Sequence, residues 1–342
     1  MIKTAIVILN WNGIGYLKKF LGVAEKNSSS SGSAIFVADN GSTDGSAEWV
    51  EKNFPSVKLI RLDKNYGFAG GYNLALSQID AEYFILLNSD IEVTPLWTEP
   101  MISFMDNNPD AAACQPKILS WENRDFFEHA GAAGGFIDKY GFPFCRGRIF
   151  NYVEIDSGQY NSVKEIFWSS GACMIVRAVA WKECAGFDPD FFAHMEEIDL
   201  CWRFHRAGFR IYFIPESVVF HVGGGALPYS SPFKTYLNFR NNLFLLYKNL
   251  PQHKFYTTLF IRRLIDGLAV LLFLFTGKFA HVRSVLKAHM DYYKHLPVLK
   301  KQRETIINLT KTDFSDTVLN KSVVFEFYIK EKKTWDKLKM NI

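Results

Sequence analysis

Three carboxylates lie close together in the segment FFAHMEEIDLCWR, residues 191–203. Its pattern predicts a helix over Met195–Ala207, on which Glu196 and Asp199 share a face while Glu197 points elsewhere. A general base would be drawn from this group, with Glu197 the freest to act. Acidic residues in a first helical turn also complement the helix dipole, so this simpler interpretation stays open.

Asn88 and Asp90 follow the apolar run 83–87 and place two oxygen-bearing side chains two positions apart. An amide oxygen and a carboxylate suit Mg²⁺ or Mn²⁺, which normally share such sites with substrate phosphates. His221 ends a second strand-like run, just before Gly223–Gly225. Taken alone, an aspartate such as Asp90 is more often a turn residue than a ligand, and a histidine such as His221 is more often structural, so a metal site depends on their context.

Two loops carry residues that suit a nucleotide. Asp39 opens the loop DNGSTDGS at the end of an apolar run, where a carboxylate can accept a hydrogen bond from a ribose hydroxyl or a base imide. A tight turn and a helix cap would explain the loop's glycine and serine but do not require Asp39. Residues 65–73, NYGFAGGYN, would let the backbone approach a phosphate or a sugar. Neither the dinucleotide fingerprint nor the P-loop occurs in the chain.

The elements that must position these residues alternate along the first 115 positions. Near-continuous apolar runs between helical patterns predict a largely parallel sheet that is buried on both faces. Ligands bind beyond the carboxyl ends of such strands, which is where Asn10, Asn12, Asp39 and Asn88 stand. The predicted strands are Thr4–Leu9, Ala34–Ala38, Val57–Leu62, Tyr83–Leu87 and Ala111–Gln115, and the predicted helices are Ile14–Glu25, Asp44–Asn53, Gly70–Ile79 and Pro95–Asn107.

The carboxy-terminal part differs in composition from the rest. From Lys248 onward there are 18 Lys/Arg against 8 Asp/Glu, a net charge of +10, whereas the remainder carries −6. The apolar stretch around 268–275 is bounded by charges, and its uncharged span is shorter than the ~20 residues needed to cross a bilayer. We expect the helix within 255–293 to lie at a membrane interface, or else to pack on the catalytic part or a second subunit. A strand is predicted at Val323–Ile329.

Composition bounds the remaining classes. The 342 residues, 48% hydrophobic, predict a globular protein of about two units. The formal charge of +4 gives no argument for a nucleic-acid partner. Five scattered cysteines without a C-x-x-C favour reduced thiols over disulfides or zinc. The short apolar run at the amino terminus is too short for a signal peptide, so we expect a cytoplasmic location.

The combination of these motifs resembles the inverting family-2 glycosyltransferases of GT-A fold, particularly their rhamnosyltransferase-like bacterial branch. The similar elements occur in the family's order between about residues 4 and 250. They are Ile8–Asn12, Asp39–Asp44, Asn65–Asn73, Asn88–Asp90, Ser170–Ala172, Gly186–Asp188, Glu196–Arg203 and His221.

The resemblance implies a role for each motif. Asp39 would bind the nucleotide base, Asp90 the metal on the diphosphate, and His221 would complete the metal site with Asn88. Nucleotide-sugar contacts are expected from Asn10, Asn12, Asp39, Asn65, Gly67, Gly70, Asn73, Asn88 and Arg240, and acceptor contacts from Trp168, Ser170 and Gly171. The expected metal is Mg²⁺ or Mn²⁺.

Two positions depart from the family pattern. The metal motif usually written Asp-x-Asp is here Asn88-x-Asp90, which leaves direct ligation by Asn88 open. Glu197 stands where the family has an aspartate base. Because glutamate performs the same proton chemistry with a longer reach, we assign the base to Glu197 and keep Glu196 as the alternative.

The resemblance implies a GT-A catalytic domain over 1–228, with a nucleotide-sugar half to about 115 and an acceptor half after it, and a helical basic extension over 229–342. The expected reaction moves a sugar, with dTDP-rhamnose as first candidate donor, onto a glycan or polyprenyl-linked glycan at the inner face of the cytoplasmic membrane. A catalytically inactive carbohydrate-binding protein and a sugar nucleotidyltransferase are the alternatives. A homo-oligomer is left open.

Overall fold

A computed structural model describes residues 2–28, 32–129, 131–223, 231–312 and 316–338. The strands are β1 Ile2–Asn10, β2 Ser33–Asn40, β3 Lys58–Leu62, β4 Ala81–Asn88, β5 Ile91–Val93, β6 Ala111–Ser120, β7 Gly135–Asp138, β8 Pro143–Cys145, β9 Arg148–Ile149, β10 Tyr152–Val153, β11 Lys164–Glu165, β12 Cys173–Arg177, β13 Arg210–His221 and β14 Val318–Leu319. The helices are α1 Ile14–Asn27, α2 Ser46–Asn53, α3 Gly67–Leu76, α4 Glu99–Asn107, α5 Ala178–Glu183, α6 Glu196–Arg206, α7 Pro232–Asn249, α8 Gln252–Phe275, α9 Phe279–Leu309, α10 Val323–Tyr328 and α11 Trp335–Leu338.

The first half of the main sheet is the predicted alternation of strands and helices. Strands β3, β2, β1 and β4 are adjacent and parallel. Helix α2 begins at Ser46 instead of Asp44 because the Asp44 carboxylate accepts hydrogen bonds from the backbone N–H groups of Ser46 (3.0 Å) and Ile14 (2.9 Å). Helix α3 begins at Gly67, three residues earlier than predicted, and α4 begins at Glu99 instead of Pro95.

The second half corrects the prediction of a mainly parallel sheet, because the sheet is mixed. Strand β12 lies between β4 and β6 and is antiparallel to both. Strand β13 is parallel to β6 but antiparallel to β5 and β11. The inserted strand comes from far along the chain, and its apolar sequence gives no sign of its direction. It carries the loop that precedes Cys173 to the edge where the functional motifs lie.

A smaller sheet, with the order β10-β9-β8-β7-β14, lies beside the main one. Isolated antiparallel β-bridges lie between the two sheets. Gly135 of β7 pairs with Trp168, and Leu119 of β6 pairs with Phe127. The predicted strand at Val323–Ile329 is wrong. These residues form α10, which begins where the Ser322 hydroxyl accepts a hydrogen bond from the Phe325 N–H (3.3 Å).

The carboxy-terminal helices share a core with the catalytic part. Leu243, Phe244 and Leu245 of α7 and Tyr292 of α9 belong to the same buried cluster as Phe187. The predicted boundary after residue 228 lies outside the described residues. All five cysteines are unpaired and buried, in agreement with the prediction of free thiols. None of the helices in the described segments is both long enough and apolar enough to cross a bilayer.

A buried charge cluster fastens α7 to α6. The Lys248 ammonium lies 3.0 Å from the Asp199 carboxylate and also contacts Asp188. Asp199 is fully buried and also accepts hydrogen bonds from Arg203 (3.0 Å) and Asn249 (2.7 Å). Burial opposes ionisation, but the charges of Lys248 and Arg203 outweigh it and lower the pKa of Asp199. Asp199 therefore has a structural role and holds α6 to α7.

We expect Lys248→Met to destabilise the protein by about 3–5 kcal/mol, because it removes the cation that pairs with Asp188 and one of the two cations that pair with the buried Asp199. The measurement is the free energy of unfolding in urea. Lys287→Met is the control: Lys287 pairs with Asp291 on the surface, with 63% of its side chain exposed, and should cost less than about 1 kcal/mol. Equal effects of the two substitutions would contradict the anchoring role.

Candidate functional site

Asp39 lies at the end of β2 and is held by neighbours on three sides. Asn10, at the end of β1, donates to the Asp39 carboxylate (3.2 Å) and to the hydroxyls of Ser42 (3.2 Å) and Ser46 (2.8 Å). The Ser42 N–H donates to the other Asp39 oxygen (3.1 Å). Asn10 is fully buried whereas Asp39 is 5% exposed. The structure thus makes Asn10 a support that fixes the orientation of the Asp39 carboxylate.

Asn12 and Gly41 shape the loops around this carboxylate. Asn12 adopts a left-handed backbone (φ 51°), which asparagine tolerates, and its side-chain oxygen accepts a hydrogen bond from the Thr43 N–H (2.7 Å). Gly41 has φ +72°, and a Cβ there would lie 2.6 Å from the Lys64 backbone. Only glycine lets the loops after β2 and β3 approach so closely.

The glycine-rich loop contacts the acidic segment. At the start of this loop, the Asn65 side-chain oxygen accepts a hydrogen bond from the Gly67 N–H (2.8 Å). Gly67 has φ +72° and leaves no room for a Cβ against Phe192, whose carbonyl accepts a hydrogen bond from the Phe68 N–H (3.0 Å). Gly70 packs closely on Tyr66. The loop expected to bind the donor therefore touches the loop that leads into the predicted base.

Asn73 lies one turn further along α3 and braces another loop. Its amide nitrogen donates to the Phe187 carbonyl (2.7 Å), and its amide oxygen accepts from the Phe187 N–H (3.0 Å). Both polar atoms are engaged by the segment 186–188, so this geometry favours a supporting role over direct contact with a donor.

Asp90 and His221 meet at the end of the sheet. The Asp90 carboxylate lies 3.2 Å from His221 Nε2, and the Val222 N–H donates to the Asp90 carbonyl (3.1 Å). The pairing of β13 with β5 brings these distant residues together, because His221 is the pairing partner of Ile91. Both residues are buried.

Glu128 completes this group, and sequence reasoning missed it. Its carboxylate lies 3.0 Å from His221 Nδ1, so the imidazole stands between two carboxylates. Burial opposes the charged imidazole, but contact with Asp90 and Glu128 overcomes it and raises the pKa of His221 to about 10. Nothing in the local sequence marks Glu128, which follows two phenylalanines and reaches the site only through sheet pairing.

The residues present suit a divalent ion that is shared with a substrate. Within the described segments no group of three or more His, Cys, Asp and Glu side chains is arranged to hold a metal ion. Asp90 and His221 supply two ligands, and Mg²⁺ sites commonly use one or two protein ligands completed by phosphate oxygens and water. Asn88 is half-buried at the end of β4, and its N–H donates to the Ala172 carbonyl (2.9 Å).

Glu196 and Glu197 begin α6 with unpartnered oxygens. One carboxylate oxygen of each residue and His194 Nε2 are buried without a hydrogen-bond partner. Burial raises the pKa of Glu197 to about 7. Burial and the adjacent Glu197 carboxylate raise the pKa of Glu196 well above its ordinary value. A carboxylate with a pKa near neutrality is suited to proton transfer at physiological pH.

The loop into α6 is strained and is held from outside. Phe192, His194 and Met195 all have positive φ (64°, 67° and 75°). The Ala193 N–H donates to the Phe191 carbonyl (2.7 Å), which closes a γ-turn of the strained, positive-φ kind. Such conformations cost of order 1–3 kcal/mol each and persist where surrounding structure imposes them.

Arg240 and Asn241 of α7 supply that outside support. Asn241 is fully buried and its amide nitrogen donates to the carbonyls of residues 191, 193 and 194 at 2.7–3.0 Å. The Arg240 guanidinium donates to the carbonyls of Asp190 (2.9 Å) and Phe191 (3.1 Å). Arg240, expected to contact a phosphate, is here engaged in holding the acidic loop.

The loop 168–172 connects the two halves of the site. A Cβ at Gly171 would lie 3.2 Å from the Phe68 ring and 3.7 Å from the Glu197 Cβ. The Ser170 N–H donates to the Gln115 side chain (2.8 Å). Trp168 is 4% exposed, and its indole N–H donates to the Phe136 carbonyl (2.9 Å), so it forms a wall behind the loop.

Sheet register places these groups in sequence along one edge. Asn10 pairs with Asp39 on one side, and its neighbour Leu9 pairs with Asn88 on the other. The loop beside Asn88 in turn packs on Glu197. The ends of these strands and the loops beside them thus carry the Asp39 carboxylate, the Asp90–His221 pair and the Glu197 carboxylate.

Residues 5–167 match the family Glycosyl transferase family 2. The chain is similar to N-acetylglucosaminyl-diphospho-decaprenol L-rhamnosyltransferase of Mycobacterium tuberculosis, with 26% identity over 203 residues that cover 55% of this chain and 66% of that protein. The alignment thus spans just under two thirds of that relative's length.

Solved glycosyltransferase structures share the fold. GalNAc-T7 with UDP, GalNAc and Mn²⁺ superposes with a TM-score of 0.58 at 14% identity, covering 75% of this chain and 50% of that one. Mannosyltransferase PcManGT from Pyrobaculum calidifontis, in complex with GDP-Man and Mn²⁺, superposes with a TM-score of 0.52 at 12% identity, covering 90% and 85%. The mixed α/β sheet is therefore GT-A-like, and residues 5–167 are similar to glycosyl transferase family 2.

Proposed function

We propose that this protein is an inverting glycosyltransferase that transfers a sugar from a nucleoside-diphosphate sugar to a hydroxyl of a glycan or polyprenyl-linked glycan. The observation that carries the proposal is the contact between Asp90 and His221 on the same sheet edge as the Glu197 carboxylate. The name of the mycobacterial relative, a rhamnosyltransferase with a decaprenol-linked sugar in its name, supports rhamnose as the sugar and a polyprenyl-linked acceptor; we keep dTDP-rhamnose as the first candidate donor.

Asp90 and His221 would hold the divalent ion, Mg²⁺ or Mn²⁺, with Asn88 as a further oxygen beside them. When bound, this ion supplies charge neutralisation for the diphosphate leaving group. Glu128 fixes the imidazole through Nδ1 and so keeps Nε2 directed at the Asp90 side. Mn²⁺ in two GT-A-like neighbours supports a divalent ion here.

Asp39 and Glu197 have separate tasks in this proposal. Asp39, held by Asn10 and Ser42, accepts a hydrogen bond from the nucleotide. Glu197 takes the proton from the acceptor hydroxyl as that oxygen attacks the anomeric carbon. Because the attack comes from the face opposite the leaving group in a single displacement, the anomeric configuration inverts and no covalent sugar–protein bond forms.

We further propose that α8 rests on an anionic membrane surface. Its exposed apolar side chains recur every three or four residues and therefore form one stripe: Tyr256, Phe260, Leu264, Leu268, Leu271, Leu272 and Phe275. Arg263 lies beside this stripe and Lys278 follows its carboxy-terminal end. Basic residues in such positions are typical of helices that bind anionic lipid. Such a position would place the enzyme beside a lipid-linked acceptor.

We expect purified protein to release nucleoside diphosphate slowly from one donor in a panel of dTDP-, UDP- and GDP-sugars, with dTDP-rhamnose the first candidate. EDTA and Asp90→Ala should each lower this hydrolysis by more than about 100-fold, since the ion accounts for several kcal/mol. Glu82→Gln, an exposed acid at the far end of the same strand, should leave the rate unchanged. Donor binding without hydrolysis under every condition would instead favour an inactive carbohydrate-binding protein.

The pH dependence of this hydrolysis tests the base. Because burial raises the pKa of Glu197 to about 7, kcat/KM should rise with pH through about 7 as Glu197 loses its proton. Glu197→Gln should lower the rate by about 100-fold or more and remove this pH limb. Glu196→Gln is the matched variant and should keep the limb. A loss that follows Glu196 instead would move the base to that residue.

Flotation with vesicles tests the membrane position. We expect the full chain to float with phosphatidylcholine vesicles that contain phosphatidylglycerol, and less with phosphatidylcholine alone. Leu264→Asp with Leu268→Asp should weaken the partition at least about tenfold, because each buried leucine contributes ~1.5–3 kcal/mol. Val179→Asp, an equally exposed apolar residue on the catalytic part, is the control. Equal flotation of all variants would contradict the proposed surface.

A further inference from the structure

A cavity of about 310 Å³ opens on the smaller sheet. It lies away from the edge of the main sheet that carries Asp39, Asp90 and Glu197, which we call the catalytic edge. It is lined by residues of the β9–β10 turn and of α10 and the segment after it: Asn151, Tyr152, Phe327, Tyr328, Glu331 and Lys333. This volume is at the lower end of the range for ligand sites, which suits one small molecule or one unit of a longer one.

The walls of this cavity are aromatic. Tyr152 and Tyr328 are 41% and 61% exposed, whereas Phe327 is buried beneath them. The Phe150 ring supports the wall from behind, with its centroid 5.0 Å from that of Phe327 and 5.3 Å from that of Tyr328. The Tyr328 ring is therefore held by its neighbours, and both exposed tyrosines offer an apolar face with a polar tip.

The polar groups at the cavity are unused. In the parts of the chain that the structure describes, the side chains of Asn151, Glu331 and Lys333 and the hydroxyls of Tyr152 and Tyr328 make no hydrogen bond or ion pair. The neighbouring Lys330 and Lys332, in contrast, both pair with Glu326 (2.8 and 2.5 Å). One acid and one base at the cavity give no net charge, which disfavours a phosphate or a nucleotide.

The backbone beside the cavity adopts an unfavourable conformation at two residues. Phe150 and Glu331, on opposite sides, both have positive φ (51° and 54°), which is uncommon for residues other than glycine. Strained positions of this kind persist where surrounding structure imposes them, often beside ligands.

We propose that this cavity binds one neutral pyranose unit of the acceptor glycan, a site separate from the catalytic edge. A pyranose combines an apolar face, which stacks on the tyrosines, with hydroxyls that pair with the amide, carboxylate and ammonium. This inference rests on the proposed glycosyl transfer. The chain connects the cavity to the catalytic edge over a few residues. Tyr152 is two residues from Glu154, whose carbonyl accepts a hydrogen bond from the Phe127 N–H. The next residue, Glu128, contacts His221. At ~3.3 Å per strand residue the separation is on the order of 20 Å.

Saturation-transfer NMR with the full chain tests the site, using methyl α-L-rhamnoside, methyl β-N-acetylglucosaminide and methyl β-galactoside as probes. At least one probe should give a signal that Tyr328→Ala reduces more than about fivefold, since loss of a stacking ring removes ~1 kcal/mol or more. Tyr256→Ala, an exposed tyrosine on α8, should retain the signal. A signal equally strong in both variants, or none with the wild type, would overturn the proposal.

Donor hydrolysis separates this inference from the proposed function. Tyr328→Ala should hydrolyse donor at the wild-type rate, because Tyr328 lies outside the catalytic edge, and circular dichroism should show the same melting temperature. If the wild type hydrolyses no donor but binds a probe through Tyr328, the transfer activity fails and the sugar site stands. If Tyr328→Ala abolishes donor hydrolysis while remaining folded, the cavity is no separate site and the proposal fails.

Discussion

The contact of Lys248 with Asp188 and Asp199 is the constraint on which the catalytic edge depends. A fully buried carboxylate such as Asp199 requires partners, and besides Arg203 of its own helix it is paired with Lys248 of α7. The same helix, α7, carries Asn241 and Arg240, which hold the carbonyls of residues 190–194. Docking α7 therefore also fixes the loop that begins α6. The helical extension is thus part of the structure that positions Glu197, the residue we propose as the base.

Insertion of β12 has a second consequence for the site. An antiparallel strand between β4 and β6 delivers the loop 168–172 to the carboxyl end of β4, where the Ala172 carbonyl binds the Asn88 N–H. A fully parallel sheet would bring a helix to this place and would separate Asn88 from Glu197. Gly171 lets this loop pack closely, because a Cβ there would lie 3.2 Å from the Phe68 ring. A single reversed strand thus brings the loop that packs on Glu197 to the end of β4, next to Asn88.

Local signals in the sequence predicted local structure well, but pairing over long distances was beyond them. The α1 and α6 helices and the first four strands follow from periodicity and turn residues, and the Asp44 cap shifts α2 by only two positions. The sequence analysis located Asp39, Asp90 and Glu197 at the ends of strands or helices but did not identify the residues that hold their side chains in place. Glu128 and the engagement of Arg240 depend on contacts across 93 and 50 positions. Val323–Ile329 is rich in the β-branched and aromatic residues typical of a strand, yet the Ser322 cap and packing against Phe150 make it helical.

The acidic edge illustrates why a base of raised pKa needs such extensive support. Glu197 becomes a stronger base only because burial removes water from its carboxylate, and the same burial leaves oxygens of Glu196 and Glu197 without partners. Each such group costs about 1–3 kcal/mol, and the positive-φ residues before them add costs of similar size. Left alone, this loop would relax towards solvent and the pKa of Glu197 would return towards its ordinary value. The hydrogen bonds from Asn241 and the buried Lys248 cluster oppose that relaxation, so the basicity of Glu197 is a property of the α6–α7 contact and of the residue together.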